Sequence, residues 1–152
     1  MLKNTVIIGI FLFTLNSFSQ ENKVNENLEI EKKEEDYSIY EIETVQISPI
    51  FPGCELSDDK LNCFKEKINN HIFKRFTYPV EAQEKSIQGK VIINLLIENN
   101  GVIIIDSAIG PNIILEKEAR RILDKLPIVK PGMQNNKFVG TKLITSVTFK
   151  IS

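Results

Sequence analysis

The clearest pattern of apolar and polar positions lies in the last hundred residues. Val91, Ile93, Leu95 and Ile97 alternate with Lys90, Ile92, Asn94, Leu96 and Glu98, the period of two that a strand requires. The second set is half apolar, so this strand is expected to be central and partly covered on both faces. Asn99-Asn100-Gly101 is a hairpin signal, and Val102 to Ala108, dense in isoleucine, reads as the partner strand. Near the end, Leu143, Thr145, Val147, Phe149 and Ile151 alternate with Lys142, Ile144, Ser146, Thr148 and Lys150. That is a long final strand with one face for the core.

Two stretches change period from two to that of a helix. Leu61, Phe64, Ile68 and Ile72 recur at helical spacing. Ser57 is the expected N-cap, Asp58 and Asp59 sit at the positive end, and Lys74 and Arg75 sit at the negative end, which predicts a helix over 58–75. Tyr78-Pro79 then turns the chain, and Pro79 can open a short helix from Val80 to Lys85, ended by Gly89. After the break at Gly110-Pro111-Asn112, Leu115, Ala119, Ile122, Leu123 and Leu126 share one face of a further helix, with Glu116 and Arg120 paired on another and Pro127 closing it. Residues 131–136 read as a loop. The order helix, strand, strand, helix, strand predicts an α+β domain, two helices packed on one face of a three-stranded antiparallel sheet. So few strands leave two edges with unpaired N–H and C=O groups.

The beginning of the chain follows a different pattern. Lys3 precedes an apolar run from Thr5 to Leu15, followed by Ser17-Phe18-Ser19 and a polar stretch. This is the order of an export signal, with cleavage expected after Ser19. The alternative is an uncleaved anchor, although the run is only about 17 Å long as a helix against a hydrocarbon core of ~30 Å. Residues 20–48 are expected to be an acidic, flexible lead-in. Ile39, Ile42 and Val45 within it could dock locally. The folded domain is expected over 49–152.

Charge sharpens this division. Residues 21–45 hold nine acids against three lysines, whereas 46–152 carry a net +4, for a chain total of -1. A balance this close to neutral gives no argument for a nucleic-acid partner. Cys54 and Cys63 are the only cysteines. An even count in an exported chain favours a structural disulfide. A metal site would need more ligands than two cysteines and the single His71 supply, and the C-x8-C spacing is not that of a redox pair. His71 lies beside the apolar stripe of its helix and reads as structural or solvated. No nucleophile elbow, zinc-protease helix or phosphate loop is present, so neither an enzyme nor a cofactor is expected.

One ordered set of residues carries more information than the elements alone. It comprises Tyr78, Pro79, Ala82, Gly89, Gly101, Leu115, Glu118, Ala119, Pro127, Pro131 and Gly132. In this order they resemble the C-terminal domain of TonB, the periplasmic energy transducer, over about Pro49 to Ile151. The Phe51-Pro52-Gly53-Cys54-Glu55 segment with its second cysteine is similar to a Bacteroidetes-type version. The resemblance implies a periplasmic domain that captures the TonB-box peptide of outer-membrane receptors by strand addition, in energy-coupled nutrient transport. It implies that the docking edge is the last strand, through Thr141, Leu143, Ile144, Thr145, Ser146, Val147, Thr148 and Phe149. Read from the residues alone, the same stretch is a core strand. The family also implies an inner-membrane proton-driven motor complex as a partner if the N-terminus stays as an anchor, and a strand-exchanged homodimer is a further use of the edge.

The chain departs from full-length TonB in its short, cleavable apolar run and its lack of a proline-rich spacer. Residues 20–53 would form a tether reaching roughly 110–120 Å when fully extended but only ~30 Å as a coil. The alternative reading is therefore a soluble exported interaction module with the same fold and no motor.

Overall fold

A computed structural model describes residues 38–151. The export signal and most of the acidic lead-in lie outside the described residues. The elements run in the order β1 (Ile39–Glu41), α1 (Lys60–Arg75), α2 (Val80–Glu84), β2 (Gly89–Ile97), β3 (Ile103–Ile109), α3 (Ile113–Leu123), β4 (Gly132–Gln134) and β5 (Lys137–Phe149). The expected α+β class holds, but the sheet does not have three antiparallel strands. It has five strands of mixed direction in the order β1-β5-β2-β3, with β4 on the early part of β5. β2 and β3 are antiparallel, β2 and β5 are antiparallel, and β1 runs parallel to β5 through Ile39↔Gly140 to Glu41↔Lys142.

The difference has a physical origin in β5. At 13 residues it is long enough to serve three partners in succession. Its first residues close a hairpin with β4, whose two turn residues are Asn135 (φ 50°) and Asn136 (φ 60°). Positive φ at both central positions is the requirement of a type I′ turn, and asparagine tolerates it. The stretch read as a loop is thus a hairpin. β1 then occupies the other side of Gly140–Lys142, so residues assigned to the lead-in join the sheet. Ile42, directly after β1, is fully buried in the core.

The odd-numbered residues of β2 and β5 form the inner face. Val91, Ile93, Leu95, Ile97, Leu143, Val147 and Phe149 are all buried there, against Phe64 and Ile68 of α1 and Leu115, Ala119 and Ile122 of α3. The outer face is open. Ile92 and Ile144 are about half exposed or more, so the central strand is not covered on both faces. The helices also differ in detail from the sequence reading. Asp59, not Ser57, caps α1, its carboxylate accepting from the Asn62 N–H at 2.8 Å. α3 stops at Leu123, ahead of Pro127, with Lys125 at φ 63° just beyond. Glu116 accepts from the Gly110 N–H at 2.9 Å, and the ion pair on α3 is Arg121–Glu118 instead.

Candidate strand-docking edge and its groove

The segment ahead of α1 is fixed first by a turn. Phe51-Pro52-Gly53-Cys54 closes with the Cys54 N–H donating to the Phe51 carbonyl at 2.9 Å, and Gly53 sits at φ 88°. Proline then glycine at the two central positions is the type II arrangement. Cys54 is bonded to Cys63 on α1, with Cα atoms 5.9 Å apart. The rings of Phe51 and Phe64 meet edge to face, centroids 5.5 Å apart. Bridges Ile47↔Met133 and Ile50↔Lys130 attach the same segment to the β4 region. The expected disulfide is therefore present, and it pins the Phe51–Cys54 turn to the start of α1.

The far end of α1 is fixed by the recurring motif residues. The Tyr78 hydroxyl donates to the Ile87 carbonyl at 2.7 Å, closing the α2 link, while its ring packs against Phe149. Phe76 lies against Phe149 with centroids 5.3 Å apart. Glu118 holds Arg121, whose Nη2 donates to the Arg75 carbonyl at 2.9 Å. That satisfies one of the unpaired carbonyls at the end of α1. Ala82, Leu115 and Ala119 are fully buried, where a small or apolar residue is required by packing. Gly101 turns the β2–β3 hairpin at φ 85°, and a Cβ there would collide with the Val129 carbonyl. Gly132 is packed so closely that a Cβ would come within 2.8 Å of the Thr141 methyl. Pro127 and Pro131 lie in the connection between α3 and β4.

With α1 fixed at both ends, it runs under the inner face along the open edge of β5 and forms a groove with it. Which backbone groups face that groove follows from the pairing of β5. Gly140 donates to the Ser38 carbonyl and the Lys142 carbonyl accepts from Ile42, so even-numbered residues point away from β2. Beyond β1, no strand continues on that side among the described residues. The N–H and C=O groups of Ile144, Ser146 and Thr148 therefore face the open edge. Those of Thr141, Leu143, Thr145, Val147 and Phe149 face β2. The sequence-predicted stretch thus divides: its even members carry the open backbone, and its odd members build the inner face. Thr141 lies under β1, fully buried.

The groove changes character along its length. Near Leu143–Thr145 it is lined by Lys65, Ile68 and Asn69, with a cavity of about 160 Å³. Lys65 there is paired with Glu43 at 2.7 Å, and this hydrogen bond holds the Glu43 carboxyl below its ordinary range. Near Ser146–Thr148 the lining is Ile72, Phe73, Phe76 and Val147, with Asn69 shared between the two stretches, and the cavity is about 270 Å³. Phe73 is 83% exposed, a large aromatic left in solvent beside an unpaired strand. Sequence reading missed this wall. Phe73 falls outside the apolar stripe of α1 and Phe76 just past the end of the helix, and the off-stripe aromatic at 73 was the available signal. His71 is not at the groove; its Nε2 is 3.0 Å from the Ile122 carbonyl, joining α1 to α3.

The sheet has a second edge, on β3, but it is blunted. Between Asn94↔Ser107 and Leu95↔Ile105 the register shifts, leaving Asp106 as an extra residue in a bulge. A bulge and a charge are common means of preventing strand addition. The open part of β5 has neither. Leu143 to Phe149 is uncharged and free of proline, bracketed by Lys142 and Lys150.

This is an α+β domain with one exposed strand edge set in a groove. Residues 74–151 match the family described as the Gram-negative bacterial TonB protein C-terminal, and the chain belongs to that family. The solution structure of the Helicobacter pylori TonB C-terminal domain is similar to it at 21% identity and a TM-score of 0.42, over 60% of this chain and 85% of that one. No curated protein matches the chain.

Proposed function

We propose that this domain captures an extended peptide by strand addition to the open side of β5, and that its partner is the TonB-box segment of outer-membrane receptors. The observation that carries this reading is the row of outward backbone groups on Ile144, Ser146 and Thr148, uncharged and unblunted while the opposite edge is bulged. Three residues offering both N–H and C=O provide a ladder for a guest strand, and backbone pairing tolerates varied guest sequences. Family membership makes receptor interaction the natural role, and a disulfide suits the oxidising periplasm. The folded domain of this proposal includes β1 as well as 49–152.

Titration of labelled full chain with receptor plug peptides tests the reading. Amide exchange at Ile144, Ser146 and Thr148 should slow on binding. Binding that protects other residues and leaves these three unchanged would place the partner elsewhere. A strand-exchanged homodimer would protect the same amides without peptide, and light scattering across concentration separates the two.

Energy coupling is a second step of the proposal. If the N-terminus remains an anchor, an inner-membrane motor complex can pull on the captured receptor. If it is cleaved, the domain acts as a soluble interaction module. Among the described residues no helix is long and apolar enough to cross a membrane. The mass of the native chain decides between the two, because cleavage after Ser19 would remove the apolar run.

A further inference from the structure

The chain already carries one strand on the docking edge, its own β1. Tyr40 stands opposite Thr141 on the inner side of the sheet, and Glu41 stands opposite Lys142 on the outer side. Ile42, the next inner position, is fully buried, and its N–H donates to the Lys142 carbonyl. A strand added to this edge therefore places alternate side chains inward, under the shelter of α1. A guest strand continuing along β5 past Lys142 must do the same, because side chains alternate with period two. Its inner positions fall beside Thr145 and Val147. Beside Thr145 the wall is Ile68 and Asn69, next to the Lys65–Glu43 pair, with the smaller cavity of about 160 Å³. Beside Val147 the wall is Phe73 and Phe76, with the larger cavity of about 270 Å³.

From this geometry we infer that the groove selects its partner strand by one large apolar side chain, seated beside Val147 between Phe73 and Phe76. A small or hydrogen-bonding residue lies two positions away, beside Asn69. The inference rests on the strand-addition reading and adds what that reading lacks, a source of sequence preference. Backbone pairing alone accepts almost any uncharged extended segment. An aromatic pocket at one end of the groove and a smaller cavity beside the Lys65–Glu43 pair at the other give that segment a register. The 83% exposure of Phe73 in the free domain is the counterpart: it has no role in the core and is positioned for a guest.

The test uses the full disulfide-bonded chain and a short threonine–glutamine host peptide, with leucine or alanine at one inward position. Amide protection of Ile144, Ser146 and Thr148 reports strand addition, and shift titration reports affinity. The leucine peptide should bind about tenfold or more tightly than the alanine peptide. In F73S, an exposed change that leaves the core intact, that advantage should disappear while the alanine peptide still protects the same amides. Phe73→Leu should keep much of it. Leucine without advantage, or an advantage that survives in F73S while the β5 amides are protected, overturns the pocket and leaves strand addition standing. Peptides that never protect the β5 amides overturn strand addition and the pocket together.

Discussion

The ring of Phe76, just past the end of α1, lies 5.3 Å from the ring of Phe149, near the end of β5. This contact closes the base of the groove between the helix and the open strand. Phe149 is 1% exposed and also meets Tyr78. Phe149→Ala should therefore cost about 3–5 kcal/mol, the range for a buried phenylalanine. Urea denaturation measures it; a loss under 1 kcal/mol would mean that the aromatic cluster does not hold α1 to the sheet.

The Cys54–Cys63 bond should contribute about 2.5–3 kcal/mol through the unfolded state, given its short loop. Reduction with a dithiol, or the paired change to serine, should lower the denaturation midpoint accordingly. Because the bond pins the first turn of α1, reduced protein should also show faster amide exchange at the start of that helix. Two free thiols in protein taken from the periplasm would rule the bond out.

Thr141 is fully buried, and its hydroxyl has no partner among the described residues. A buried donor left unsatisfied costs free energy, whereas a methyl of the same shape does not. Thr141→Val should raise stability by about 1 kcal/mol. A drop in the midpoint instead would show that the hydroxyl is satisfied in solution, for instance by a bound water.

Acid should weaken the fold in two steps. Burial, with the nearby Arg75 charge, holds the His71 imidazole below its ordinary 6.5. Below pH 6.5 the unfolded chain then binds more protons than the folded one, so stability falls as pH drops. Glu43 is held below its ordinary 4.5 chiefly by the Lys65 hydrogen bond, so a second loss begins below that value. His71→Gln should flatten the first step and leave the second. An unchanged slope near pH 6 in the variant would assign the first step to other groups.

Much of this architecture was legible because it is local. The alternation of Val91 to Ile97 and of Leu143 to Phe149 marks the two long strands and their inner faces. Ala119 and Ile122 mark the buried side of α3. What escaped is non-local or short. β1 has three residues, and only its parallel pairing with Gly140, Thr141 and Lys142 makes it a strand. No window of sequence contains that pairing, and a parallel partner leaves no turn signal. The β4–β5 hairpin was readable in principle, because Asn135-Asn136 is a fair pair for a two-residue turn. The helix stop at Leu123 depends on Asp124 turning to an extended conformation at φ −60° and ψ 147°, followed by Lys125 at φ 63°, and neither residue type signals a stop. The proposal that β5 offers a docking edge was suggested only by the family pattern. The edge's limits at Lys142 could not be read at all, since β1 sets them.

The same pairing geometry gives a sharp test of which side of β5 binds. The amides of Ser146 and Thr148 face the open edge, whereas that of Val147 faces β2 across from Val91. Proline lacks the amide hydrogen and is tolerated in a sheet only where that hydrogen points outward. Ser146→Pro should therefore keep most of the fold, since the β2 ladder loses no donor. It should abolish peptide binding by removing a central edge donor. Val147→Pro should do more general damage, breaking the central ladder and disturbing a side chain that is 1% exposed. Circular dichroism and peptide titration of the two variants separate the cases. A folded Ser146→Pro protein that binds with undiminished affinity would show that the partner does not pair with this edge.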